Sequence, residues 1–279
     1  MTVVRTDPFA GTILQVGVLA ALAGTVGLGR PGWLAGLLFG AVLVAALRHG
    51  LRRAGTDRLG PADWVTLGRA TLTGGVTALV VDSFSRPVPV AVLAGLTTVA
   101  LALDWVDGQV ARRTGTASAL GARFDMEVDS FLLLVLCGYV AGQVGVWVCA
   151  IGAMRYVFGA AGRVLPWLRG SLPPRYWRKT VAATQGITLA VVAAEVLPVP
   201  LAVAVLVGAL ALLVESFGRD VWWLWRHRSR PTSRREVAGP AAVRDVVVRP
   251  AAAAPRVAGW QPGGGVLVAR HPAEVGGRS

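Results

Sequence analysis

The sequence has few charged residues, and its hydrophobic content is high. Only 15% of its 279 residues are charged and 54% are hydrophobic, whereas ordinary soluble domains have about 25% charged residues. This composition argues against a soluble globular domain. The sequence therefore predicts an all-α, polytopic integral membrane protein whose spans form a helical bundle.

Cysteine and histidine are also scarce. The chain has two cysteines and three histidines. Cys137 and Cys149 lie inside apolar stretches, so neither a disulfide framework nor a thiolate metal site is expected. The histidines are spread along the chain and form no cluster. The first apolar run lacks a strongly basic leader and a cleavage site, which predicts a retained span and no signal peptide.

Basic residues follow the connections between apolar runs. Lysine and arginine number 28 against 15 acidic residues, giving a net charge of +13. Arginines placed beside apolar runs indicate a lipid bilayer as the partner, with anionic headgroups nearby, and argue against nucleic acid. Eight runs are predicted to span the bilayer: 11–28, 32–47, 64–81, 90–103, 117–141, 144–167, 180–197 and 201–225.

The arginine distribution also predicts orientation. One alternating set of connections holds nearly all the arginine, while the other set holds only Arg30 and Arg86. By the positive-inside rule, both termini face the cytoplasm. The bias toward alanine, arginine and glycine indicates a bacterial plasma membrane protein. Three regions are predicted: a hairpin with a basic connection (1–60), a membrane domain (61–228) and a disordered tail rich in Ala, Pro, Gly and Arg (229–279).

Four aspartates stand close together between two apolar runs: Asp104, Asp107, Asp125 and Asp129. A helix turns by about 100° per residue, so the first two share one helix face and the last two share another. Two such helices, folded back as an antiparallel pair, would gather all four carboxylates. Carboxylates that close need cations, and oxygen ligands suit Mg²⁺, Mn²⁺ or Ca²⁺. Solvated charge at two helix ends is the alternative.

The same stretch resembles the signature of the CDP-alcohol phosphatidyltransferase family, D-x2-D-G-x2-A-R-x8-G-x3-D-x3-D. Every fixed position is met: Asp104, Asp107, Gly108, Ala111, Arg112, Gly121, Asp125 and Asp129. The resemblance implies a membrane enzyme that moves a substituted phosphate from a CDP-linked donor to an alcohol and releases CMP. For a bacterial member the resemblance implies CDP-diacylglycerol as the usual donor and a phospholipid as the product. It also implies a six-helix core at about 61–226, preceded by two added spans, and a homodimer.

The resemblance assigns roles to the aspartates. Two divalent ions, Mg²⁺ or Mn²⁺, would be held by Asp104, Asp107 and Asp125, as expected for phosphoryl transfer between two metals. Asp129 would be the general base for the acceptor hydroxyl and would also touch a metal. Spacing alone does not separate the base from the ligands.

Small and basic residues near the aspartates are candidates for binding the CDP moiety. Gly108 and Ala111 lie on the metal face and leave room for a nucleotide to approach the helix backbone. Arg112 can hold a phosphate by two parallel bonds. Gly121 either permits a close approach of two helices at the site or is ordinary small-residue packing.

The third run contributes further candidates. Asp63, Thr66 and Arg69 recur at intervals of three, near one helix face. The family commonly has an N-x2-T-x2-R-like pattern here that contributes to the nucleotide pocket, and Asp63 replaces its asparagine. Thr66 either lines that pocket or bonds its own helix.

Three basic residues are candidates for binding the phosphate of an acceptor or lipid. Arg155 lies inside the sixth run, where an ion pair with Glu127 or Asp125 is the alternative. Arg178 and Lys179 enter the seventh run, where contact with lipid headgroups is the alternative.

Two other functions remain open from the sequence. A divalent-cation transporter or channel would also place aspartates in a membrane, and a catalytically silent relative would keep the fold alone. The acceptor is equally open, with glycerol phosphate, inositol phosphate and serine all possible.

Overall fold

The structure is a computed structural model that describes residues 7–54, 61–114, 119–173 and 175–228. Side chains at 7–10, 54, 61–63, 107–108, 110–114 and 119–120 are helical in backbone but fall outside the description. The described ranges contain eight α-helices and no strand: α1 Asp7–Val26, α2 Arg30–Ala54, α3 Pro61–Ser83, α4 Val90–Thr114, α5 Ala119–Val144, α6 Cys149–Val164, α7 Tyr176–Ala193 and α8 Val199–His227.

This architecture confirms the predicted all-α membrane bundle. Within the described ranges, three helices are long and apolar enough to cross a bilayer: Arg30–Arg53, Trp64–Ser83 and Val199–His227. Shorter apolar helices cover Gly11–Val26 and Val90–Val106. The chain is therefore an integral membrane protein built from helices.

Each predicted apolar run contains one α-helix, but several boundaries differ. Helix α2 continues to Ala54, beyond the predicted end at 47, and α7 covers Tyr176–Ala193 where the sequence predicts 180–197. The predicted run 144–167 holds a shorter helix, Cys149–Val164, flanked by 3₁₀ turns at Val146–Val148 and Pro166–Arg169. Gly145 has a φ of 101°, which ends α5, and Pro166 cannot continue a helix interior. In contrast, α4 continues to Thr114, beyond the predicted end at 103, because its polar extension still contains good helix formers.

Helix α3 lies at the centre of the N-terminal half and packs against α1, α2, α4 and α5. Its side chains Val76, Ala78 and Leu79 are fully buried. Small residues permit this close packing. A Cβ on Gly74 would lie 2.5 Å from the amide atoms of Gln15 on α1, so a larger residue there would force the Gln15 side chain to move.

The α1–α2 hairpin belongs to the same core as the helices that follow it. Leu19 and Leu22 of α1 share one buried apolar cluster with Val76 and Leu79 of α3. In a bilayer such packing is stabilised by close van der Waals contact between the helices, since lipid tails are as apolar as leucine. The hairpin packs against α3, and α2 also contacts α5. The predicted division of residues 1–60 from the rest stays a prediction.

A buried carboxylate reinforces this packing at one end of the bundle. Asp82, at the end of α3, is fully buried. It accepts a hydrogen bond of 3.0 Å from the backbone N–H of Gly29 and forms an ion pair of 2.5 Å with Arg86. This junction ties the α1–α2 turn to the α3–α4 turn.

The two aspartate-bearing helices, α4 and α5, both pack against α3. Side chains at 107–108, 110–114 and 119–120, which flank the connection between α4 and α5, lie outside the described residues. The expected antiparallel pairing of α4 with α5 therefore stays a prediction, and the described contacts add α3 as a common neighbour of both helices. The last four helices complete the bundle, with α5 against α6 and α7, and α7 against α8.

The predicted disordered tail, 229–279, lies outside the described residues. It stays a prediction from composition.

Candidate metal and nucleotide site

Three aspartates from two helices converge at one point. Asp104 of α4 and Asp125 and Asp129 of α5 each offer a carboxylate oxygen, and these oxygens lie within 4.8 Å of one another. The side chains are 43%, 35% and 39% exposed, respectively. The cluster is thus open to an incoming ligand on one side and bounded by protein on the other.

Arg69 of α3 fills the protein side of this cluster. Its side chain is fully buried. The guanidinium donates hydrogen bonds to Asp104 Oδ1 and Asp125 Oδ1, and Nη2 also donates to the backbone carbonyl of Asp125 at 3.2 Å. The same nitrogen lies 3.3 Å from Asp129 Oδ1. One arginine therefore touches all three carboxylates.

Apolar packing sets the register that creates these contacts. Leu67 and Ala70 of α3 and Val128 of α5 belong to one buried cluster. Leu67 and Ala70 flank Arg69, and Val128 lies between Asp125 and Asp129 along α5. Burying these three residues together places the arginine opposite the two carboxylates.

The charges of these four side chains favour an additional cation. Three carboxylates around one guanidinium carry a net charge of about −2 when ionised, since aspartate is normally charged at neutral pH and arginine always is. Carboxylate oxygens are hard ligands of the type preferred by Mg²⁺ and Mn²⁺. The residues present therefore fit a divalent metal, with the guanidinium as a fixed internal counter-charge.

Arg69 is the main residue that the sequence reasoning noted without assigning to the site. Two signals pointed to it. An arginine inside a membrane span is costly unless it is paired with acidic groups, and Arg69 follows Thr66 by one turn on the same helix. The sequence could not identify the partners of Arg69, because Asp104 and Asp125 lie 35 and 56 residues away from it in the chain.

The other predicted site residues fall into two groups. Thr66 is buried on α3, and Gly121 is half-buried near the start of α5, one turn before Asp125. The remaining predicted residues have side chains outside the described part and stay predictions: Asp63, Asp107, Gly108, Ala111 and Arg112.

The three candidate phosphate-binding residues have different surroundings. Arg155 forms an ion pair of 2.5 Å with Glu127, which is one of the two ion pairs that the sequence offered as the alternative to phosphate binding. Arg178 donates to the backbone carbonyl of Pro173 and lies 3.7 Å from the buried carboxylate of Asp220. Lys179 is exposed at the start of α7.

Comparison with known proteins supplies an independent finding. The family model for CDP-alcohol phosphatidyltransferase matches residues 59–215, more than half of the 279 residues. The match begins just before α3, extends into α8 and includes all four aspartates. Searches of curated proteins and of solved structures found no match.

Proposed function

Because the chain belongs to the CDP-alcohol phosphatidyltransferase family, we propose that it transfers the phosphatidyl group of CDP-diacylglycerol to an alcohol and releases CMP. The family uses a CDP-linked donor and an alcohol acceptor. The membrane location favours a lipid donor, because a diacyl tail can remain in the bilayer while its headgroup reaches the site. The product would be a phospholipid.

The observation that carries the proposal is the convergence of Asp104, Asp125 and Asp129, whose oxygens lie within 4.8 Å of one another. Together with Asp107, these residues would hold two divalent ions, Mg²⁺ or Mn²⁺. Bound divalent ions would neutralise the diphosphate of the donor and stabilise charge on the attacking and leaving oxygens. The negative charge of the donor's diphosphate would offset the positive charge of the second ion.

Asp129 is our candidate for the general base. In the proposed reaction, the acceptor oxygen forms a bond to the phosphorus that carries the diacylglycerol. The bond from that phosphorus to the bridging oxygen breaks, CMP leaves with the bridging oxygen, and the acceptor proton passes to Asp129. Its exposure of 39% supports this role, since a base must reach the bound acceptor.

Arg69 would orient the carboxylates throughout. Its contacts with Asp104 and Asp125 restrict their rotamers before any ligand binds, which reduces the cost of assembling the site. The guanidinium lies on the buried side of the cluster, so the donor can approach the exposed side without any movement of Arg69. Arg69 is thus proposed as a positioning residue.

The nucleotide is proposed to bind along the first part of α5 and the last part of α4. Gly108, Ala111 and Gly121 would leave space for it, and Arg112 would contact a phosphate. Asp63 and Thr66 would complete the pocket from α3; the burial of Thr66 close to Arg69 supports that placement.

Arg178 and Lys179 are proposed to attract the phosphate of the acceptor or of a lipid. Both lie at the start of α7, whose other end contacts the end of α5 through Glu195 and Tyr139. The start of α7 therefore lies toward the same end of the bundle as the aspartates. Arg155, already paired with Glu127, would contribute mainly by holding α6 against α5.

The proposed orientation places the aspartate cluster at the cytoplasmic side of a bacterial plasma membrane, where CDP-linked donors and soluble alcohols are available. The concentration of arginine in the connections near that end supports it.

A CMP-release assay with purified full-length protein tests the proposal. The protein is supplied with CDP-diacylglycerol, Mg²⁺ or Mn²⁺, and glycerol phosphate, inositol phosphate or serine in turn. Metal-dependent CMP release with one acceptor, together with the matching phospholipid, is the expected result. Absence of CMP release with every acceptor and both metals would contradict it.

The same preparation separates this function from cation transport. Arg69 places a fixed positive charge against all three carboxylates, and such a charge opposes the passage of a cation through the cluster. We therefore expect no flux of Mn²⁺ into liposomes that contain the protein. Flux without CMP release would favour a transporter.

A further inference from the structure

A second candidate site lies at the end of the bundle opposite the aspartate cluster. A cavity of about 360 Å³ opens there between the α3–α4 connection and the ends of α5 and α7. Its polar lining includes Tyr139, Gln143 and Glu195, and its apolar lining includes Phe84, Pro87, Val88 and Val90. Tyr139 follows Asp129 by ten residues, or about 15 Å along α5 at about 1.5 Å per residue. The cavity is therefore separate from the metal site.

Glu195 has an unfavourable backbone conformation. Its φ is 56°, and it is the only residue other than glycine with a positive φ in the described part of the chain. It follows Ala194, the C-cap of α7, at a position where glycine is the usual residue. A side chain costs free energy in this conformation.

The charge of Glu195 is also unfavourable for its position. The carboxyl end of a helix carries a partial negative charge, which disfavours a neighbouring carboxylate. Strain and charge both count against glutamate at this point. Such strain tends to persist where a side chain is needed for function.

The Glu195 side chain is exposed, and the contacts of its carboxylate are with neutral groups. Tyr139 donates a hydrogen bond to Oε1 at 2.8 Å and Gln143 donates to the same oxygen at 3.2 Å. Among the described residues, no donor reaches Oε2 and no lysine or arginine pairs with Glu195. A negative charge with neutral partners therefore stands at the cavity wall, beside the carbonyl end of α7.

The lining favours an organic cation over a metal ion. Calcium takes six to eight oxygen ligands and magnesium requires octahedral coordination. The polar lining of this cavity offers one carboxylate, one phenol, one amide and the Ser83 hydroxyl, which already donates to the backbone carbonyl of Val80. The rings of Phe84 and Tyr139 instead offer apolar surface and aromatic faces, which attract ammonium groups. The cavity volume is within the range of small-ligand sites, about 300–1,000 Å³.

We propose that this cavity binds an organic ammonium group, with the positive charge against Glu195 and the attached carbon chain against Phe84 and Pro87. Two sources carry that chemistry: the headgroup of an aminophospholipid and a small soluble amine. The inference does not depend on the proposed transferase reaction, because it uses none of the residues of the aspartate cluster.

The test uses the purified full-length chain in detergent. Native mass spectrometry compares the binding of phosphatidylethanolamine with that of phosphatidylglycerol carrying the same acyl chains, and calorimetry measures the binding of ethanolammonium. We expect Glu195→Gln to weaken amine binding by at least about tenfold, as for loss of a charged hydrogen-bond partner. Glu195→Gly should abolish binding yet preserve or raise the unfolding midpoint, since glycine suits the positive φ.

The outcomes distinguish the two sources. A preference for phosphatidylethanolamine that is lost in Glu195→Gln identifies a lipid headgroup, while binding of ethanolammonium alone identifies a soluble amine. Glu215→Gln is the matched control, because Glu215 pairs with Arg219 on α8 and should leave amine binding unchanged. The proposal is overturned if neither probe binds, if Ca²⁺ binds in their place, or if Glu195→Gln binds as wild type does.

Discussion

Arg69 on α3 lies 3.3 Å from Asp129 on α5, although 60 positions separate them in the sequence. The same guanidinium contacts Asp104 and Asp125. A third helix therefore supplies the positive charge that holds together the carboxylates of the two motif helices. In the proposed enzyme, the site is already partly neutralised before a metal or a nucleotide binds.

The first prediction concerns this charge. Arg69→Gln should leave three facing carboxylates without their buried partner. Because these carboxylates are 35–43% exposed, solvent screens part of their repulsion, and the cost should fall below the roughly 3–5 kcal/mol of a fully buried ion pair. We expect a lower unfolding midpoint in EDTA and a larger rise of that midpoint on adding Mg²⁺ than in wild type, because the metal would replace the missing charge. Thermal unfolding in detergent, with and without EDTA, measures both quantities.

The control for Arg69→Gln is Arg219→Gln. Arg219 forms an ion pair with Glu215 on the surface of α8 and is largely exposed, and exposed pairs contribute only about 0–1 kcal/mol. If both variants unfold alike and respond equally to Mg²⁺, the assignment of Arg69 to the site is wrong.

The second prediction separates the base from a metal ligand. Asp129→Asn should abolish CMP release while CDP-diacylglycerol still binds, because an amide cannot accept the acceptor proton. Loss of general-base catalysis alone corresponds to about 10²–10⁴-fold in rate. Radiolabelled donor binding and CMP release on the same preparation measure the two effects.

The third prediction is that Asp104→Asn weakens metal-dependent donor binding itself, since it removes one charged ligand from the cluster. Equilibrium binding of the donor across a Mg²⁺ titration should show a shift to higher metal concentrations. An unchanged Mg²⁺ dependence in Asp104→Asn, or wild-type turnover in Asp129→Asn, would show that the roles are assigned incorrectly.

The fourth prediction uses two glycines of α6. A Cβ on Gly152 would lie 2.6 Å from the Cα of Leu134 on α5, so Gly152→Ala forces two helix backbones apart. Overpacking of this kind costs about 1–3 kcal/mol. A Cβ on Gly159 meets nothing within 4 Å, and alanine there should stabilise the helix by up to about 1 kcal/mol. The unfolding midpoints of the two variants should therefore shift in opposite directions, and equal shifts would contradict the packing of α5 against α6.

Much of the fold was predictable because each membrane span is a continuous apolar segment of the sequence. Apolar runs and intervening arginines predicted all eight helices, and the periodicity of the aspartates predicted which of them share a face. The family signature added a reaction and a division of roles. The shortened α6 was not predicted, because an apolar run continues across Gly145 and Pro166 and does not reveal where the helix ends.

The rest depended on contacts between distant segments. Helical periodicity places Asp125 and Asp129 on one face, but it does not say which helix that face meets. The sequence predicted that α4 and α5 fold back on each other, but it did not predict that α3 packs against both of them. The partner of Arg69 follows from that placement and could not have been read from residues 61–83 alone.

Asp82 links the region matched by the family to the hairpin that precedes it. A truncated form beginning at residue 59 would retain the whole region matched by the family, but it would remove Gly29, whose backbone N–H donates a hydrogen bond to Asp82. The carboxylate, fully buried in the intact chain, would keep its ion pair with Arg86 but lose the protein that covers it from the side of the hairpin. The α1–α2 hairpin therefore encloses a charge that the family region alone would leave more exposed.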